Sequence, residues 1–179
     1  MASGKTHDII NLAAFPVFVY YLKPESFVGF FAGYMIGTFF LSPDNDIFHS
    51  IPNKRWKFLR FIWKPYTILF SHRGLSHIPI IGMLLKLLYL LMWVFILLFI
   101  LLSLLLIVMY VGNFTITIPV NIEKTPEEIL KSALLSPFSI SFLVGLFLSE
   151  IVHILTDIVY SSSKKLIKIY KSANISKNH

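Results

Sequence analysis

Apolar residues gather into four long runs, Ile9–Leu22, Phe27–Leu41, Ile78–Val111 and Leu134–Tyr160, and most charged side chains lie between them or at their edges. A helix that crosses a hydrocarbon core about 30 Å thick needs about 20 apolar residues. The pattern therefore predicts an all-α fold: an integral membrane bundle of four transmembrane helices. The first two runs are short, and the turn LKPES between them predicts a helical hairpin. The third is too long, because its 34 positions would cover about 51 Å at 1.5 Å per residue. Part of it should project past the bilayer or tilt strongly, with Lys86 snorkelling to the interface at the boundary. The fourth stays apolar to Leu148 and then acquires Glu150, His153 and Asp157.

The connections carry their own signals. Between the second and third runs, Trp56, Phe58, Phe61, Ile62, Trp63 and Tyr66 are interleaved with Lys54, Arg55, Lys57, Arg60 and Lys64. Basic residues alternating with large aromatics suit an amphipathic helix lying in the headgroup plane, within the 42–77 loop. A membrane belt explains these aromatics better than a nucleic-acid surface does, so no nucleic-acid partner is expected. Between the third and fourth runs, Thr125 and Glu128 form a capping box with Pro126 at the first helical position. Residues 1–162 read as one membrane-embedded domain, and 163–179 as a basic tail that frays.

Composition agrees with the pattern. The 179 residues are 56% hydrophobic and only 14% charged, far from the norm for soluble domains. No cysteine is present, which excludes disulfides and thiolate metal sites. The first apolar run lacks a small-residue cleavage signal and reads as retained. The net charge of +7 bears on orientation. With four spans, twelve basic residues fall on the face shared by the termini and the 42–77 loop, against three on the other face. Both termini are therefore expected to be cytoplasmic in a multi-pass inner-membrane protein.

The same topology collects the titratable groups. His7 and Asp8 begin the first span, Asp44 and Asp46 follow the second, His72 and His77 precede the third, and His153 and Asp157 lie late in the fourth. All would meet at the cytoplasmic end. Each pair has an ordinary structural explanation: Thr6 could cap the first helix, SPDND is a turn signal, Ser76 could cap the third span, and a lone helical histidine is usually a hydrogen-bonded core residue. Separate caps do not explain convergence, however, and an acid at membrane depth such as Asp157 is costly unless functional. His153 and Asp157 are i and i+4, hence stacked on one face, with Glu150 at i−3. Without cysteine the donors are nitrogen and oxygen, suited to one or two divalent ions, with Zn first and Mn or Fe as alternatives.

The segments SGKTHD, SPDNDI, RWKFLRFIWKPY, SHRGLSHIPIIG and HILTD, in this order, resemble a family of uncharacterised prokaryotic metal-binding membrane proteins. That family is itself similar to the YdjM-like inner-membrane metal-dependent hydrolases. The resemblance covers about residues 1–90 and then the fourth span, through an H-R-x-x-S-H element and a P-D-x-D element at Pro43–Asp46. It implies His7, Asp44, Asp46, His72, His77, His153 and Asp157 as metal ligands.

The expectation is a membrane-bound metal-dependent hydrolase of a phosphoester or lipid ester. Asp8 or Glu150 would serve as general base and Arg73 would bind a phosphate. Membrane lipids are the expected partners, with an anionic lipid or phosphoester as substrate. A metal transporter or sensor would need polar residues across the bilayer midplane, which Phe27–Leu41 and Tyr89–Val111 almost lack. A non-catalytic interaction protein would close the coordination sphere around the metal.

Overall fold

The computed structural model describes residues 3–70, 78–113 and 125–176. Among these residues the chain forms seven α-helices and two 3₁₀ helices, with no strand. They are α1 (Gly4–Leu22), α2 (Phe27–Phe39), a 3₁₀ helix (Pro43–Asp46), α3 (Ile51–Arg55), a second 3₁₀ helix (Lys57–Ile62), α4 (Trp63–Leu69), α5 (Ile81–Gly112), α6 (Pro126–Leu134) and α7 (Pro137–Ser176).

Serines start several of these elements. Ser3, Ser26, Ser42 and Ser50 each turn a hydroxyl back onto a backbone N–H of the first turn, satisfying one of the donors a helix start leaves open. Ser3 therefore caps α1 in place of Thr6, whose N–H donates to the Ser3 hydroxyl at 3.2 Å. The capping box at α6 forms as the sequence predicts: the Glu128 N–H donates to Thr125 Oγ1 at 3.2 Å, and the Thr125 N–H donates to Glu128 Oε2 at 2.9 Å.

The centre of the fold is the close approach of α2 and α7. Gly29, Gly33 and Gly37 lie four residues apart, so they form one smooth stripe along α2. A Cβ at Gly29 would lie 2.4 Å from the Phe138 carbonyl oxygen, and one at Gly33 would lie 2.0 Å from that of Phe142. One at Gly37 would lie 2.0 Å from Ser149 Oγ, while Gly145 of α7 answers with its own approach to the Phe30 carbonyl. Contacts advance together along both helices, so α2 and α7 run parallel. Small residues at four-residue spacing allow this backbone contact in membrane bundles as well. Gly33→Ala is expected to destabilise the protein by about 1–3 kcal/mol through overpacking, read as a lowered Tm in detergent. An unchanged Tm would mean that the two helices do not meet this closely.

α1 runs antiparallel to this pair, so that its start lies beside the middle of α7, where His7 meets Asp157. α5 touches the bundle along one stripe of its first turns, with Gly82, Met83, Lys86 and Tyr89 buried. Beyond that it exposes apolar side chains as far as Val111. The buried apolar residues include Phe30, Tyr34, Leu41, Trp63, Tyr66, Met83, Tyr89 and Leu146.

Two helical stretches, Ile81–Gly112 and Pro137–Tyr170, are long and apolar enough to cross a membrane. The expected four spans are not matched helix for helix, because the 13 residues of α2 reach only about 20 Å. Two expectations need correction. Lys86 does not snorkel; it is 1% exposed and its Nζ lies 3.0 Å from Glu150 Oε1. α7 itself continues to Ser176, into the basic tail.

The basic aromatic loop is not one amphipathic helix either. Lys57 takes a left-handed φ of 50°, which breaks the run between α3 and the second 3₁₀ helix. Trp63 and Tyr66 point into the core, while Lys54, Lys57, Phe58, Phe61, Lys64, Ile68 and Leu69 stay exposed. Two of the five basic residues turn inward. Arg55 pairs with Asp8, and Arg60 donates to the Phe48 carbonyl at 2.7 Å, contacts His49 Nδ1 at 2.9 Å and covers the Phe48 ring.

Candidate metal centre

Three elements bring the site together. His7 comes from the first turn of α1, Asp44 from the 3₁₀ helix after α2, and His153 and Asp157 from one face of α7. His7, at 2% exposure, and His153, at 3%, are buried. Their rings stack with centroids 3.7 Å apart and planes 11° from parallel. His7 Nε2 lies 3.2 Å from Asp157 Oδ1, and His153 Nε2 lies 3.6 Å from Asp44 Oδ1. One ligand atom each from His7, His153 and Asp157 falls within 4.8 Å of the other two.

These separations suit a shared ion. Donors about 2.1 Å from one metal, at tetrahedral angles, sit about 3.4 Å apart, which the 3.2 and 3.6 Å pairs bracket. The nitrogens agree. His153 Nδ1 meets the Ser42 hydroxyl at 3.2 Å, the kind of support that orients a ligating imidazole and fixes its tautomer. His7 Nδ1 is buried without a hydrogen-bond partner among the described residues, and His7 Nε2 and His153 Nε2 are buried facing the carboxylates of Asp157 and Asp44. Leaving a buried polar atom unsatisfied costs about 1–3 kcal/mol, and a cation among these atoms would relieve it. The donor set therefore fits a divalent ion.

The turn that carries Asp44 is braced from behind. Asn45 donates to the Phe40 carbonyl at 2.8 Å, and the buried Asn53 amide donates to the carbonyls of Asn45 and Ile47 at 3.0 and 2.9 Å. Beneath His7, Asn11 receives the Tyr34 hydroxyl at its backbone carbonyl, 3.0 Å away. Ser42, Asn53 and Asn11 carry no metal-ligand pattern, so the sequence alone did not mark them. Ser42 could have been suspected only as the residue opening SPDND.

The remaining expected site residues separate. Asp8 is held by the Arg55 guanidinium, which also donates to the Phe39 carbonyl at 3.2 Å. Glu150 pairs with Lys86. Asp46 is buried within electrostatic reach of Tyr66 and Lys86, outside the group that His7, His153 and Asp157 form. Burial, with Asp46 and Glu150 nearby, raises the Tyr66 phenol above its ordinary pKa and keeps it neutral. His72, Arg73 and His77 lie outside the described residues.

The comparisons with known proteins point the same way. An uncharacterized protein of Aquifex aeolicus is 45% identical over 145 residues, covering 80% of this chain and 99% of the relative. No solved structure matches the chain. The model of a family described as uncharacterized metal-binding protein, DUF2227, matches residues 2–167. By that match, over nearly its whole length, the chain belongs to the DUF2227 family of uncharacterized metal-binding proteins.

Proposed function

We propose that the protein is a membrane-embedded, divalent-metal-dependent hydrolase with its site at the cytoplasmic end of the bundle, acting on a phosphoester or lipid ester. The observation that carries this reading is the buried His7, His153 and Asp157 group, whose ligand atoms lie within 4.8 Å of one another. Two histidines and one carboxylate form a three-ligand set of the kind that leaves a fourth position open for chemistry. Such nitrogen and oxygen donors favour Zn, with Mn or Fe as alternatives, in one or two copies. A divalent ion bound there would supply Lewis acidity and lower the pKa of a water molecule it holds to about 7.

The chain's own residues divide the remaining work. His7, His153 and Asp157 hold the ion, and Ser42 keeps the His153 ring oriented. A general base must stand within hydrogen-bond reach of the proton it takes. Asp8 and Glu150 are each engaged by a cation, Arg55 and Lys86. The role therefore passes to Asp44, the carboxylate next to His153. On motif resemblance, including that to the YdjM-like hydrolases, Asp46, His72 and His77 add ligands and Arg73 receives a phosphate. The two helices able to cross a membrane, the apolar outer faces of α1 and α2, and the clustering of basic residues on one side support membrane embedding with both termini cytoplasmic.

A second reading follows from Asp44. If it serves as a fourth ligand, the sphere closes and the metal is structural. One experiment separates the readings: wild-type protein, stripped with chelator and reloaded with Zn, is reconstituted in vesicles with a membrane-impermeant phosphomonoester outside. Metal-dependent hydrolysis is expected only in vesicles that expose the termini. Stoichiometric metal with no turnover over a panel of phosphoesters and lipid esters would favour the structural reading. Hydrolysis only with the termini enclosed would reverse the orientation.

A further inference from the structure

A groove of about 400 Å³ runs between α1 and α7 on the flank of the metal centre. Its volume falls within the roughly 300–1,000 Å³ usual for ligand pockets. The walls are Ile10, Val152, Leu155 and Val159, and the hydroxyl residues along it include Thr6, Thr156 and Ser163. Those hydroxyls are turned away from any ligand. Thr156 donates to the Val152 carbonyl at 2.7 Å, Ser163 donates to the Val159 carbonyl at 2.9 Å, and Thr6 pairs with Ser3 at 2.8 Å. Apart from the Tyr160 phenol, which also lines it, the groove presents aliphatic surface with its hydroxyls already bonded, which suits a hydrocarbon chain and not a polar metabolite.

Its length and its ends narrow the occupant further. From Val152 to Ser163 the groove follows about 17 Å of helix axis, close to the depth of one leaflet of an about 30 Å core. Part-way along it, Thr6 and Thr156 adjoin His7 and Asp157 in the chain. Past the Ser163 end, Lys164 lies one turn beyond Tyr160 on the same face of α7, with Lys168 one turn further, and both are exposed. Lys5, also exposed, precedes Thr6. An apolar channel with lysines at its rim complements an acyl chain that carries an anionic head.

We infer that the α1–α7 groove is an acyl-chain site for an anionic phospholipid, holding the chain along α7 past the metal centre while the headgroup lies among Lys5, Lys164 and Lys168 at the Ser163 end. This rests on the membrane-embedded reading and deepens it by naming the class of amphiphile that the site would receive.

The test is native mass spectrometry of the full chain, purified in detergent and supplied with phosphatidylglycerol or with phosphatidylcholine of the same acyl length. Wild type should retain one phosphatidylglycerol, and several-fold less phosphatidylcholine. Val159→Trp, which fills the groove, should cut phosphatidylglycerol retention at least fivefold. Lys164→Gln with Lys168→Gln should cut it about threefold and leave phosphatidylcholine unchanged. Leu98→Trp, on the exposed face of α5, should change neither. Equal retention in Val159→Trp and wild type would overturn the site. Equal retention of both lipids would overturn the anionic preference, and a dimer that occupies the groove without lipid would assign it to a second copy. Metal content measured on the same samples separates the two proposals: Val159→Trp should keep its metal, and groove-dependent lipid retention in a wild type without metal would leave the groove standing while the metal reading fails.

Discussion

His153→Ala should leave the purified protein with only a small fraction of wild-type metal. His153 Nε2 faces Asp44 Oδ1, and its ring stacks on His7, so truncation removes a donor and loosens the other ring. His7→Ala and Asp157→Ala should do the same, and pairs of these changes should add little to any single one, because the ligands act as a unit. Ser42→Ala provides a graded comparison. It removes only the support at His153 Nδ1, and loss of such a contact typically costs about 10–100-fold in metal affinity. Asp8→Ala should keep its metal, since Asp8 is turned to Arg55. Metal per protein by mass spectrometry, after chelator-free purification and reloading, decides the matter. A His153→Ala protein with full metal occupancy would mean that the stacked histidines are ordinary core residues.

Lys86→Met is expected to cost about 3–5 kcal/mol of stability, because removing one partner of a buried pair leaves the other charge uncompensated. Lys86 and Glu150 are 1% and 3% exposed as side chains, with Nζ and Oε1 3.0 Å apart. At about 2–4 °C per kcal/mol for a chain of this size, thermal unfolding in detergent should fall by roughly 10 °C. Glu150→Gln should be comparably harmful. Lys86→Met combined with Glu150→Leu should recover much of the loss, since an apolar pair of similar volume often replaces a buried ion pair at little cost. A Tm in Lys86→Met within a degree or two of wild type would show that the ammonium is solvated and the pair unimportant. Metal content should survive the double change, which separates this stabilising pair from the His and Asp group beside it.

The close neighbourhood of these two clusters explains why the chain was only partly legible. Both hold residues expected at one end of the bundle, and His7, Asp44, His153 and Asp157 do meet there. Glu150 and Asp8 read as catalytic from their places near ligands along the chain. Their actual partners, Lys86 and Arg55, lie 64 and 47 positions away, and no spacing rule connects them. The glycine stripe of α2, legible at four-residue spacing, sets how closely the two central helices approach.

By itself the sequence determined the local structure and the chemical type of the site. Helix starts at Ser and Thr caps, the capping box of α6, the apolar lengths of α5 and α7, and the absence of thiolate donors all follow from interactions within about four residues or from composition. Only the tertiary structure decided which polar groups face one another. That choice depends on the helix faces that pack, and here it is set by the parallel contact of α2 with α7 and the antiparallel seat of α1. Those contacts place His7 on His153 and leave Asp8 to Arg55. The seat of the first turns of α5 on α7 buries Lys86 against Glu150, where its position in an apolar run suggests the membrane surface.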